Sequence, residues 1–324
     1  MVSRRLCGKE KGPIYFGLTI EEEEADKYKI FEYEISIAGS PSGLISIEKE
    51  YLTVKIGEKI STLIDLKSGH GKVTHMDGSV AFNIGDPTRS ALEFSVPDWE
   101  GMEIKNYISS WRYYKLSLPA MKKVNPATSQ EFLMEDGQNF SSWLMTLQTK
   151  HQEEFRSIIQ VARDSLLGIE EILVPPTQFA TTYLLSREKY LEQPITIWHM
   201  SDGEILFLAW LSLIFAPEEF GAPLFCVEEV ENHLHPRLLE ILVEVLNQRQ
   251  KELGPQAAQI IVTTHSPYLV DKMNLEDLIV FEKREGATKC TRPVTKSHLK
   301  DLLEREDIGL GDLWYSGALG GRII

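Results

Sequence analysis

Two short apolar runs flanking one well-punctuated helix constrain this chain more than any other feature. Leu224 to Val227 and Gln259 to Thr263 have the length and apolar content of buried strands. Between them, Pro236 stands where a helix begins and Gly254-Pro255 where one stops. Strand, crossover helix and strand in this order read as neighbours in a parallel sheet. A third run, Leu278 to Phe281, is expected to extend an alternation of strands and helices that starts at about Ile169.

Upstream the periodicity changes. From Ile30 to about Asn83, short alternating runs such as Leu52, Val54 and Ile56, divided by Thr53 and Lys55, predict an antiparallel meander. Its turn candidates are Ser40-Pro41-Ser42-Gly43, Ser68-Gly69-His70-Gly71 and Asp77-Gly78. In the middle, Phe140, Trp143, Leu144 and Leu147, then Phe155, Ile158, Ile159, Ala162 and Leu166, form a helical stripe, with an N-cap expected in Asp136-Gly137-Gln138-Asn139. The expected fold is therefore α/β, with an antiparallel β-rich part over 1–125, a helical insertion over 126–168 and a parallel-sheet core over 169–324. With 43% hydrophobic residues the chain can bury a sizeable core.

The longest apolar stretch, Ile205 to Ala216, is interrupted by Ser212 and falls short of the roughly 20 residues needed to cross a bilayer. MVSRRLCGKEKG at the start has no apolar segment behind its basic residues, so no secretory signal is read there. Cys7, Cys226 and Cys290 stand far apart, which fits neither a disulfide framework nor a thiolate metal site. The expected location is the cytoplasm. A net charge of −14 opposes nonspecific attraction to phosphate backbones, leaving nucleic acid possible but unsupported. The run Glu21 to Glu24 reads as a solvated turn or strand edge.

Chemistry concentrates at the ends of the predicted parallel strands, where α/β sheets gather ligands. The first run ends in Glu228-Glu229. One carboxylate there could hold a metal through water while the other polarises an attacking water. The second run ends in Thr263-Thr264-His265-Ser266, placing a histidine able to donate to a phosphate oxygen beside hydroxyls. Upstream, Ser201-Asp202-Gly203-Glu204 opens an apolar helix whose first amides favour an anion. Each feature also has a plainer structural reading. Glu231, His233 and His235 alternate like ligands, but no further partner to complete a site stands at recognisable spacing.

In this order and spacing, SDGE, LFCVEEVENHLHP and IIVTTHSP resemble the predicted ATPases of the ABC superfamily, an AAA-type group related to recombination and chromosome-maintenance ATPases. The resemblance runs from about Ile169 through Leu310-Gly311-Asp312-Leu313-Trp314 and Ser316 to Gly321. It implies an ABC-type P-loop NTPase-like core that uses ATP and Mg2+ and pairs as a homo- or heterodimer through its head. It further implies that Ser201, Asp202 and Gly203 form a signature motif reaching ATP on the opposing subunit. Glu228 would then hold Mg2+ at the Walker B position, with Glu229 as catalytic base and His265 as switch histidine. Asn232, His233 and His235 would lie in the loop crossing the dimer interface, and Gln138 would sense the metal. Two departures from the pattern are Glu228 in place of aspartate and Val230 in place of proline.

The phosphate-binding loop GxxxxGK[S/T] is missing from the sequence. Gly8-Lys9 has Ser3 at the first-glycine position and Glu10 after it; Gly71-Lys72 has Leu66 and Val73 and reads as a hairpin turn. A late start codon, a split gene and a degenerate subunit would each account for this. The expected function is ATP binding and hydrolysis coupled through dimerisation to a loop-bearing or effector partner. The alternatives are a catalytically inactive interaction subunit and, last, a metal-dependent nuclease using Glu228, Glu229 and Glu231.

Overall fold

A computed structural model describes residues 13–24, 27–39, 45–217, 223–254, 257–284, 287–296, 299 and 309–319. Cys7, the Gly8-Lys9 pair, the Ser40 to Gly43 turn, Pro255 and Gly320-Gly321 lie outside the described residues. The chain divides into two compact units, residues 1–110 and 111–324.

In the first unit the meander forms a six-stranded antiparallel sheet in chain order: β1 (Ile14–Glu24), β2 (Lys27–Gly39), β3 (Ile45–Ile56), β4 (Lys59–Lys67), β5 (His70–Thr74) and β6 (Val80–Gly85). Positive φ at Ser68 and Gly69 makes the β4–β5 turn. Gly71-Lys72, expected at a turn, therefore lies inside β5. At the next tip Asp77 Oδ1 accepts from the Ser79 amide at 2.8 Å and hydroxyl at 2.6 Å, around Gly78 with positive φ. A bulge between Leu52 and Thr53 breaks the expected alternation, so Leu52, Thr53 and Val54 are all buried.

The apolar side chains of this sheet pack with Trp99 and with Ile104 of α1 (Met102–Ser109). Indole Nε1 of Trp99 donates to the Thr74 carbonyl at 3.0 Å. Glu50 is fully buried, yet its carboxylate accepts from Tyr33 OH (3.0 Å), Ser90 Oγ (2.6 Å) and the Ala91 amide (2.9 Å). Those three donors replace the water the group has lost. Burial, with the Glu50 charge added, pushes the Tyr33 phenol far above its ordinary range.

The second unit runs through β7 (Arg112–Tyr114), α2 (Leu118–Met121), β8 (Asn125–Pro126), α3 (Phe140–Lys150), α4 (Gln152–Ser165), β9 (Ile169–Leu173), β10 (Thr181–Thr182), β11 (Leu185–Glu188) and β12 (Ile195–Thr196). It continues with α5 (Asp202–Ile214), β13 (Leu224–Glu228), α6 (Pro236–Leu253), β14 (Gln259–Thr263), α7 (Pro267–Val270), β15 (Val280–Arg284), β16 (Ala287–Thr291) and the helix Leu310–Tyr315. The predicted helical stripe of α3 and α4 is buried along its length. Residues Ile205 to Leu213 of α5 are buried all round. Ser212, the polar break in that run, is satisfied by accepting from Trp143 Nε1 at 3.1 Å and donating to the Ala209 carbonyl at 2.7 Å. No described helix is long and apolar enough to cross a membrane.

β13 and β14 pair in parallel, joined by the expected crossover α6, which starts at Pro236 and ends at Gly254 with positive φ. Their third parallel partner is β7, on the other side of β13, which the periodicity did not show. Three residues are too short a run to carry a period. Two expectations of parallel pairing are overturned. β9, β11 and β12 form an antiparallel sheet, and β15 pairs antiparallel with β16, because short connections close local hairpins where a parallel partner would need a long crossover. Asn139 occupies the predicted cap of α3 without capping it. Its side chain instead ties the preceding loop, accepting from the Met134 amide at 2.9 Å and donating to the Phe132 carbonyl at 2.9 Å.

Candidate functional site

The three parallel strands end side by side, and the residues there are polar. Glu228 closes β13, and its Oε2 receives the Tyr113 hydroxyl and, at 3.1 Å, the Lys115 ammonium. Tyr114 is buried, so strand alternation turns Tyr113 and Lys115 toward the same side. The Tyr113 hydrogen bond, followed by Lys115, holds the Glu228 carboxyl below its usual range, and the same bond raises the Tyr113 phenol.

One residue on, the chain turns sharply. Glu229 has φ +50°, a left-handed conformation uncommon for a residue with a side chain. Its amide donates to the Thr263 carbonyl at 3.0 Å and faces Thr263 Oγ1 at 3.2 Å. The carboxylate accepts from Asn232 Nδ2 at 2.7 Å, and the Asn232 amide closes a turn onto the Glu229 carbonyl at 3.0 Å. Glu231 then reaches across to the β14 end, where its Oε1 accepts from the His265 amide at 2.6 Å. Glu231 Oε2 is buried and has no hydrogen-bond partner among the described residues. The His265 residue is exposed.

The other predicted residues arrive by different routes. Ser201 caps α5 through a full capping box: its Oγ accepts from the Glu204 amide at 3.2 Å, and Glu204 accepts from the Ser201 amide at 2.9 Å. Asp202 pairs with Lys122 at 2.8 Å. A Cβ on Gly203 would stand 3.0 Å from the His233 carbonyl, so this glycine lets the loop after β13 lie close against the start of α5. His233 itself has φ +63°. His235 caps α6 by accepting from the Arg237 amide through Nδ1 at 3.2 Å, the plain structural role a lone histidine can play. The side chain of Gln138 donates to Met134 Sδ at 3.1 Å, and no hydrogen bond links it to the strand-end carboxylates among the described residues.

No group of three or more His, Cys, Asp or Glu able to hold a metal is present among the described residues. Magnesium does not require one, since it keeps waters and binds through one or two carboxylates together with substrate phosphates. Glu228 fits that mode: its hard oxygen donors already attract a cation, and the Lys115 ammonium sits there. Tyr113 and Lys115 are not legible as site residues in the sequence, because only the pairing of β7 with β13 brings them to Glu228.

Residues 100–271 match the family described as "AAA domain, putative AbiEii toxin, Type IV TA system". That stretch is more than half of the 324 residues, and the chain belongs to this family of AAA ATPase domains. No curated protein matches it. Among solved structures, it is similar to an SMC head bound to the C-terminal winged-helix domain of ScpA (13% identity, 82% of this chain and 73% of that one, TM-score 0.46). It is also similar to the SMC head domain from Thermotoga maritima (10% identity, 82% and 73% covered, TM-score 0.39). A third is an SMC head from Pyrococcus furiosus bound to the C-terminal domain of ScpA (11% identity, 86% and 80% covered, TM-score 0.41).

Proposed function

We propose that this chain is an ATPase head that couples nucleotide-dependent pairing with a second head to work on a partner protein. The observation that carries this reading is the convergence at adjacent parallel strand ends of Glu228, Glu229 and the Glu231 link to the His265 backbone. In it, Glu229 takes a proton from the attacking water, its carboxylate oriented by Asn232. His265 donates to the terminal phosphate. Mg2+, held by Glu228 through water, would supply charge neutralisation on the phosphates. Ser201, Asp202 and Gly203, at the start of α5, face the nucleotide of the opposing head. The reading takes the phosphate-cradling loop GxxxxGK[S/T], which does not occur in these 324 residues, from a loop-bearing head.

The test is equilibrium binding of ATP with and without Mg2+ to the purified chain, alone and mixed with a loop-bearing homologue, alongside Glu229→Gln. Nucleotide trapped in the mixture by Glu229→Gln, with hydrolysis at least about 100-fold slower than wild type, is the expected outcome. A mixture whose hydrolysis rate equals that of the homologue alone would sink the reading. A second reading stands beside it, since GxxxxGK[S/T] does not occur in these 324 residues: an interaction subunit without turnover, for which pairing persists and Glu229→Gln changes nothing.

A further inference from the structure

The Lys115–Glu228 pair stands where the proposed reading needs a metal, and this has a consequence for what the site can accept. Among the described residues, Lys115 is the cation paired with a strand-end carboxylate; Glu229 and Glu231 have no ion-pair partner there. Lys115 follows directly on β7, its side chain 65% exposed, while Glu228 is 31% exposed. A pair this open to water is weak and its lysine stem flexible, so it opens easily toward a better partner. A free divalent cation is not that partner. It would gain the Glu228 carboxylate but meet the ammonium at close range, and like charges so placed repel. A free polyphosphate would gain Lys115 but leave Glu228 facing added negative charge.

We propose that Lys115 is a phosphate-binding residue and that the Lys115–Glu228 pair opens for a divalent-metal–polyphosphate chelate in preference to either component alone. The cation takes Glu228 while the phosphate takes Lys115, so both halves of the broken pair are satisfied in one event. Tyr113 stays with Glu228 and keeps the carboxylate aimed. This rests on the ATPase reading above but does not follow from it, since a metal site at Glu228 could exist with Lys115 as a bystander.

Calorimetric titration of the full chain with Mn2+ alone, tripolyphosphate alone and both together tests the idea, with circular dichroism confirming that each variant is folded. Wild type is expected to bind the two together about tenfold tighter than their separate affinities predict, a coupling of ordinary size. Lys115→Met should tighten Mn2+ alone, weaken tripolyphosphate and abolish the coupling, whereas Lys115→Arg should keep the anion arm. Lys115→Met with unchanged affinity for both ligands overturns the proposal. If at the same time Glu228→Gln removes Mn2+ binding, the ATPase reading survives; if Mn2+ binding ignores Glu228→Gln, the metal position given to Glu228 falls with the proposal. If wild type binds neither ligand, the proposal alone falls, because the ATPase reading is judged on the mixture with a loop-bearing homologue.

Discussion

Single side chains here make testable commitments. Glu50 is a buried carboxylate with three donors, and Glu50→Ala strands all three. The expected loss is about 3 kcal/mol of unfolding free energy, read from denaturant titration. Tyr33 leads to a pH effect. Its folded-state pKa lies above the unfolded value of 10.0, so the native state keeps a proton that the unfolded chain gives up as pH rises past that point. Stability should therefore be unaffected by this group below about pH 10 and fall above it, and Tyr33→Phe should flatten that alkaline slope in thermal melts.

At the scale of elements, the sequence was legible where a period or a punctuation mark had room to show. The α6 crossover between β13 and β14 announces itself through Pro236 and Gly254, and the stripe of α3 and α4 through spacing alone. Partner choice between strands was not legible. Nothing in Arg112–Tyr114 says that it pairs with β13, and β15 reads the same whether its neighbour is parallel or antiparallel. Glu228, Glu229 and His265 could thus be found as strand ends, while Tyr113 and Lys115 needed the sheet order. The capping box of α5 yields its own prediction: Ser201→Ala should cost about 1 kcal/mol of stability whether or not nucleotide is present. An effect on nucleotide binding beyond that would mark a separate role for the hydroxyl.

On the scale of the whole molecule, charge sets the terms of association. Two chains of −14 each repel, and salt shortens the reach of that repulsion from about 30 Å at 0.01 M to about 8 Å at 0.15 M. If heads pair as proposed, sedimentation should show self-association strengthening with salt over this range; weakening instead would mean that attractive ion pairs govern the interface. Glu231 bears on what such pairing could set in motion. One of its oxygens accepts from the His265 backbone amide, and the other is buried without a donor among the described residues. That hydrogen bond fastens the loop after β13 to the loop after β14. A displacement of either loop therefore pulls on the other, so whatever happens at one strand end is felt at its neighbour.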